Sequence, residues 1–392
     1  MTKRALLVLI IFLVAACSPS EPAIPWPTES WPVSSPGDQG LDAALLDEIH
    51  QRIDSGAYGY VDRLLLIRNG QLVMDQTYVH DYERINAGRD PTSHPHNYYH
   101  PDWHPYYRGS DLHTPQSVTK GVTSIVIGIA IQRGEIPGPG VAVLDYFEDY
   151  EIAHLDNRKQ RSTLEDVLTM RAGLEWDEWT YPVGDPRNSV TQLEMSDDWI
   201  QFALNLPMAR EPGEVFVYNS GASQFPSVIV MEATGLYIDE YAEEVLFRTL
   251  GIQDYYWKKT PKGWPDTEGG LYLRAEDLAK IGYLVLHEGV WQGRQIVPQD
   301  WIDEMTSPKV ADVAPEDLDW NDGYGYQWWL LADRTQEDGQ VYGALGYGGQ
   351  FLFIVPERDL VAVFNAWNIY GTPSSLTIDL FLGQMLPATA SE

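Results

Sequence analysis

Apolar residues recur at two spacings along this 392-residue chain. Between residues 41 and 53 they fall at Leu45, Leu46, Ile49 and Ile53, the three- and four-residue steps of one helix face. Leu64-Leu65-Leu66-Ile67 and the run 71–78 then flank Asn69-Gly70. Asn-Gly tolerates the positive φ angles of a two-residue turn, so these runs predict a β-hairpin. Residues 81–112 read as a long loop rich in Pro, His and Tyr, a length that in a compact domain usually carries function. Helical spacing returns over 117–133, through Val118, Val122, Ile125 and Ile129, and stops at the Gly- and Pro-rich stretch 134–140. Further helices are predicted over 163–170, 197–206, 222–233, 237–250 and 275–288. The period then shortens. Residues 341–345, 351–355 and 360–366 read as strands, with turns at 346–349 and 356–359, and 376–385 as a closing helix.

Strands therefore open and close the body while helices fill its middle. That order predicts an α/β protein of the α+β type, with an antiparallel sheet flanked by helices. A mainly helical subdomain, about 140–262, is inserted, with a ligand cleft between the two parts. The body is expected over 40–385.

The start of the chain reads as an address. Lys3 and Arg4 precede an apolar run over 5–16, too short to span a bilayer as a helix. Small residues before Cys17 mark 1–16 as a signal peptide. The run resembles the lipobox of bacterial lipoproteins, which implies a lipidated Cys17 at the mature N-terminus. With Ser18 in the next position, the same resemblance implies, in a Gram-negative host, an outer-membrane anchor facing the periplasm; the alternative is a plain secretory signal with a chance cysteine. Residues 17–39, rich in Pro and Ser, then read as a tether.

Composition narrows the function. The formal charge of −31 argues against a nucleic-acid partner, whose binding rests on phosphate neutralisation, and against attraction to an anionic bilayer. Cys17 is the one cysteine, which excludes an internal disulfide framework and a cysteine-cluster metal site. Fourteen Trp and 23 Tyr suit a large core and the walls of a cleft.

Ser117-Val118-Thr119-Lys120 places a serine at a helix start and a lysine one turn later on the same face. Serine needs a base within hydrogen-bond reach to become a nucleophile. A lysine serves only when neutral, so burial or a nearby cation must lower its pKa. The helix N-terminus offers N–H groups to an oxyanion. Alone, the tetrad could equally be a capping serine and a solvated lysine. Tyr218-Asn219-Ser220-Gly221 adds a hydroxyl that both donates and accepts, suited to relaying a proton. Gly346-Tyr347-Gly348-Gly349-Gln350 joins two strands, where Gly346 and Gly348 would let a substrate lie close and the Tyr347 N–H would be a second oxyanion donor. Counting back from Pro356 allows either Gly343-Ala344 or Gly346-Tyr347 in that place. Trp176, just after the turn 172–174, is a candidate cleft wall or a plain packing residue.

Ser-x-x-Lys, Tyr-x-Asn/Ser and a late glycine-containing strand motif, in this order, resemble class C β-lactamases, penicillin-binding peptidases and related serine esterases and amidases. Residues 163–174 resemble the family's TLxxLLTMxSGL segment, and 277–282 its DLAKIG helix. Residues 324–329 with Gly349-Gln350 resemble the branch that contains 6-aminohexanoate-dimer hydrolases. The resemblance implies an acyl-enzyme on Ser117 with Lys120 and Tyr218 as base and relay. It implies oxyanion donors at Ser117 and Tyr347, and substrate contacts at Ser220, Trp176, Gly346 and Gly348. The expected partner is a small-molecule or short-peptide ester or amide, with no metal or cofactor. Two departures bear on substrate: Ser220 stands where β-lactamases carry Asn, and the third motif lacks the Lys or His that grips a β-lactam carboxylate. Both favour the esterase or linear-amidase branch over a β-lactamase or D-Ala-D-Ala peptidase. A second reading is a binding module for cell-wall peptides that kept the fold and lost turnover. His94, His96, His100 and His104 crowd one loop, but its prolines define no metal geometry. Gly-x-Ser-x-Gly and phosphate-loop motifs are absent.

Overall fold

The computed structural model describes residues 26–27, 29–88, 110–311, 313, 320–331, 339–369 and 376–389. Cys17 and the four histidines between 94 and 104 lie outside them. The principal strands are β1 (Val61–Arg68), β2 (Gln71–Thr77), β3 (Asn321–Tyr324), β4 (Trp329–Leu331), β5 (Val341–Gly346), β6 (Gln350–Val355) and β7 (Leu360–Ala366). They form one seven-stranded sheet in the order β2-β1-β7-β6-β5-β4-β3, antiparallel throughout. The first hairpin thus joins the last strands, with Leu65 opposite Val363. Its turn is the expected one, with Asn69 at φ 50° and Gly70 at φ 67°.

The helices that matter to the site are α1 (Ala43–Asp54), α2 (Val118–Gln132), α3 (Leu164–Leu168), α4 (Phe225–Thr234), α5 (Ala275–Leu286) and α6 (Leu376–Leu380). Side chains alternate across the sheet. Leu65, Ile67, Leu352 and Val363 join the core that includes Ile125 of α2 and Ile281 of α5. Leu64, Leu66, Phe353 and Phe364 join the core with Ile49 of α1 and Phe381 beyond α6. Burial of both faces explains why these strands read as unbroken apolar runs. Helical segments occupy the stretch from Val143 to Leu250, as the pattern predicts. The first of the two cores runs without a break from α2 through Leu168 to Val228 of α4.

Helix α2 is buried on every side over Val118–Ala130. Two glycines make room for this. A Cβ at Gly128 would lie 2.3 Å from Trp301, and one at Gly121 3.0 Å from Trp328. The indoles then cap carbonyls of the helix: Trp301 Nε1 donates to Ser124 O at 3.0 Å and Trp328 Nε1 to Gly121 O at 3.3 Å. Trp301 comes from the short helix Gln299–Met305, which the apolar pattern did not reveal. Strands β3 and β4 were also not anticipated. They are four and three residues long, too short for an alternation to show.

One boundary moves. Packed structure begins before Gly40, because Trp31 is only 6% exposed and its Nε1 donates to Glu276 O at 3.1 Å. Val33 pairs with Leu72 at the open edge of β2, and Trp26 packs on Trp291 and Tyr283. Pro and Ser around these residues hid the two indoles that dock.

Candidate active site

Ser117 occupies the N-cap position of α2. The turn before it is tight: Val118 N donates to Pro115 O at 3.2 Å, and Gln116 takes φ 51° in the left-handed region. One helical turn on, Lys120 lies 1% exposed, its Nζ 3.0 Å from Ser117 Oγ. The ammonium also donates to the backbone oxygen of Glu268 at 2.7 Å and stands 3.5 Å from that residue's Oε2. Tyr218 completes the group. Its hydroxyl is close enough to the Ser117 side chain to feel it, and Lys120 Nζ lies 5.2 Å from its ring centroid.

Each side chain is held from behind. The Tyr218 ring stacks on Trp329 at 5.7 Å and 20°, with Trp179 edge-on at 5.7 Å. Asn219 Oδ1 accepts from Ala222 N at 2.8 Å and starts the short turn that leads into α4. Asp266, fully buried, accepts from Glu268 N at 3.0 Å and Gly269 N at 3.1 Å, and so fixes the turn that presents Glu268 to Lys120.

These groups open onto a cleft of about 370 Å³. Ser117, Tyr218, Ser220, Gly346 and Tyr347 all line it, beside Trp179, Tyr181, Trp320, Trp329 and Phe351. The two possible registers of the third motif are thereby separated. A Cβ at Gly346 would fall 2.2 Å from Pro115 O, so Gly346 abuts the turn that carries Ser117. Gly343 pairs with Phe353 and Trp329, further along the strand.

Two expected contacts are not there. Trp176 is not part of the cleft lining: its ring lies under Gly221, where a Cβ would be 2.7 Å away, and its Nε1 donates to Glu178 Oε2 at 2.6 Å. Gly348, at φ 85°, turns the chain against Ile369 instead of facing the cleft. The residue that replaces Trp176 at the wall is Glu178, which the sequence analysis did not single out. Its carboxyl accepts from Ser220 N at 2.9 Å and Ser220 Oγ at 3.2 Å. Ser220 therefore bonds Glu178 in this state. A Glu in an aromatic loop carries no motif, so only the fold brings it forward.

The electrostatics correct a further expectation. Burial pulls the Lys120 ammonium down, but Tyr218, Glu268, Glu178 and Asp266 together more than offset it, and its pKa is raised. Lys120 is thus held charged, whereas the base expected from the sequence must be neutral. Burial raises the Tyr218 phenol against the pull of Lys120. Burial pushes Glu178 up to about 7 against Lys120 and the donors from Ser220 and Trp176. Glu268 is raised by burial and by Asp266, and Glu194 well above the carboxylate range by burial and by Glu268. Lys258, 2.8 Å from Asp266, is raised although burial lowers it, because Asp266, Glu194 and Glu268 surround it.

A sheet of this order, with a serine and a lysine at the head of its buried helix, defines a class: the β-lactamase-fold serine hydrolases. The chain belongs to the Beta-lactamase family, whose pattern it matches over residues 54–375. It is 26% identical over 307 residues to a 6-aminohexanoate-dimer hydrolase of Paenarthrobacter ureafaciens, covering 70% of this chain and 74% of that one. Among solved structures, EstCE1, a hydrolase with promiscuous acyltransferase activity, superposes with a TM-score of 0.67 at 14% identity, over 91% of this chain and 100% of the other. A penicillin-binding protein homologue from Caulobacter crescentus superposes with a TM-score of 0.60 at 16% identity, over 89% and 97%. At these identities the two structures speak for the fold alone.

Proposed function

We propose that the chain hydrolyses an ester or a small linear amide through an acyl-enzyme on Ser117. The observation that carries this reading is the 3.0 Å contact between Lys120 Nζ and Ser117 Oγ, set at the foot of a substrate-sized cleft. In the reaction Ser117 Oγ attacks the carbonyl carbon as its proton passes to Lys120, once that ammonium has given up a proton and is a neutral amine, with Tyr218 as relay. The N–H groups of Ser117 and Tyr347 hold the oxyanion. Tyr218 delivers the proton to the departing alcohol or amine, and water releases the acid.

Charge in the cleft argues for the substrate class. Its described lining includes two carboxyls, Glu178 and Glu268, and no arginine, lysine or histidine. A free carboxylate, as in a β-lactam or a D-Ala-D-Ala peptide, would find no cation among these lining residues to pair with. Aromatic walls instead favour an uncharged acyl group.

The test is intact mass after a fluorophosphonate probe, with nitrophenyl esters, linear oligoamides and nitrocefin assayed in parallel. A single adduct lost in Ser117→Ala, with ester or amide turnover and none of nitrocefin, is the expected result. Absence of adduct and of turnover in the wild type would leave the peptide-binding module in its place.

The proposal extends to location. Lipidation of Cys17 would anchor the body in the cell envelope, with the outer membrane as its site. Among the described residues no helix is long and apolar enough to cross a membrane. Cys17→Ser should release the protein from the detergent phase of a partition assay; retention there would refute the anchor.

A further inference from the structure

Behind Ser117 lies one cluster of four carboxyls and two lysines, in which Lys120, Glu268, Asp266 and Glu194 are buried and Glu178 and Lys258 half-buried. Glu268 and Asp266 come from one turn, Glu178 and Glu194 from two other segments, Lys120 from α2 and Lys258 from the position just after the two-residue strand Tyr256–Trp257. The groups that face Lys120 are Tyr218, Glu268, Glu178 and Asp266. Those that face Glu268 are Asp266, Lys120 and Lys258, with Glu194 and Glu178 close enough to feel its charge. Within the cluster, Glu268 Oε2 is the carboxyl oxygen that lies next to Lys120 Nζ, at 3.5 Å.

A charged Lys120 has no lone pair for the Ser117 proton. Sending its own proton to water would leave the cluster one unit more negative, which is costly in a low-dielectric site. A transfer to Glu268 Oε2 leaves the net charge unchanged. It turns a buried ion pair into a neutral amine and a neutral acid, the forms that burial favours.

Building on the acyl-enzyme reading above, we infer that Glu268 takes the proton of Lys120, so that the Lys120–Glu268 pair is the base that activates Ser117. An N–H bond of the ammonium breaks, its electron pair stays on Nζ, and an O–H bond forms on Oε2. Nζ then takes the Ser117 proton as Oγ bonds to the carbonyl carbon. When the tetrahedral species collapses, that proton reaches the leaving group through Tyr218. The Glu268 proton returns to Nζ, and the resting pair is restored. Glu268 works through Lys120 and touches no reacting atom of the substrate.

The experiment is the rate of fluorophosphonate labelling of Ser117 across pH in the full chain, in wild type, Glu268→Gln and Glu268→Asp. Gln keeps the size of the side chain and the backbone carbonyl but accepts no proton. Lys120 must then lose its proton to water, so labelling near neutral pH should fall about tenfold and recover at higher pH, the mark of a limb moved up by one unit. Asp draws the carboxyl one methylene back and should move the limb the same way by less, which decides the matter if Gln does not fold. A limb that stays in place, or moves to lower pH, would overturn the inference. The second outcome is what a carboxylate that merely holds Lys120 charged would give. A wild type that never labels, or labelling that survives Ser117→Ala, would instead strike the acyl-enzyme reading.

Discussion

Gly346 is required for contact and not for conformation. A Cβ there would press on Pro115 O, a backbone atom of the turn that carries Ser117, and lie 3.0 Å from Gln116 Cβ. Gly346→Ala must displace that turn, and misplacement of a nucleophile by ~1 Å costs on the order of a hundredfold. The expected result is a large fall in kcat for a short ester, little change in KM, and a native circular dichroism spectrum. An unchanged kcat would show that the turn yields. Glu178 makes a different kind of prediction, on stability. Its folded pKa is raised from 4.5 to about 7, so the folded state binds more protons than the unfolded chain between those values. Stability from this group is full below 4.5 and declines as pH rises through about 7. Glu178→Gln should therefore stabilise the protein at pH 8 relative to wild type, by at most roughly 3 kcal/mol, with the gap closing near pH 4.5. Denaturant midpoints of both proteins at the two pH values test this; a gap independent of pH would contradict it.

Among the elements, the segment before α1 has a task that its composition conceals. Ser34 N donates to Leu72 O at 3.1 Å and Leu72 N to Pro32 O at 2.8 Å, which covers the outer edge of β2. An uncovered edge invites pairing with another chain. Trp31 meanwhile packs on Tyr283 of α5 at 5.3 Å, so the strap ties the sheet edge to the helix beneath it. A chain begun at residue 36 should melt several degrees below one begun at residue 22 and should aggregate sooner on heating. Equal melting temperatures would make the strap a passive tether. The first hairpin stands at the other extreme. Asn69-Gly70 sets its turn from local geometry alone.

For the whole molecule the governing quantity is the charge of −31. Self-repulsion of that size opposes the compact state, and salt screens it over a Debye length of about 10 Å at 0.1 M. Raising NaCl from about 50 mM to about 500 mM should lift the melting temperature while leaving kcat for a neutral ester nearly unchanged. A melting temperature that falls with salt would mean that surface ion pairs, such as Arg161 with Glu211 at 2.9 Å, outweigh the repulsion.

Local patterns by themselves determined the hairpin at Asn69-Gly70, the helix from Val118, the late strands, and the order Ser117, Lys120, Tyr218, because period, turn chemistry and spacing act between near neighbours. They also located the glycine turn before β6, though not which glycine meets Ser117. Tertiary structure alone decided that it is Gly346, since the deciding atom, Pro115 O, is some 230 residues away in sequence. It likewise set Trp176 behind the wall and Glu178 upon it. It gathered Glu268, Asp266 and Glu178 around Lys120, and so reversed the expected charge state of that lysine. A pKa in a buried site is a sum over charges that the fold brings together, and no spacing along the chain records that sum.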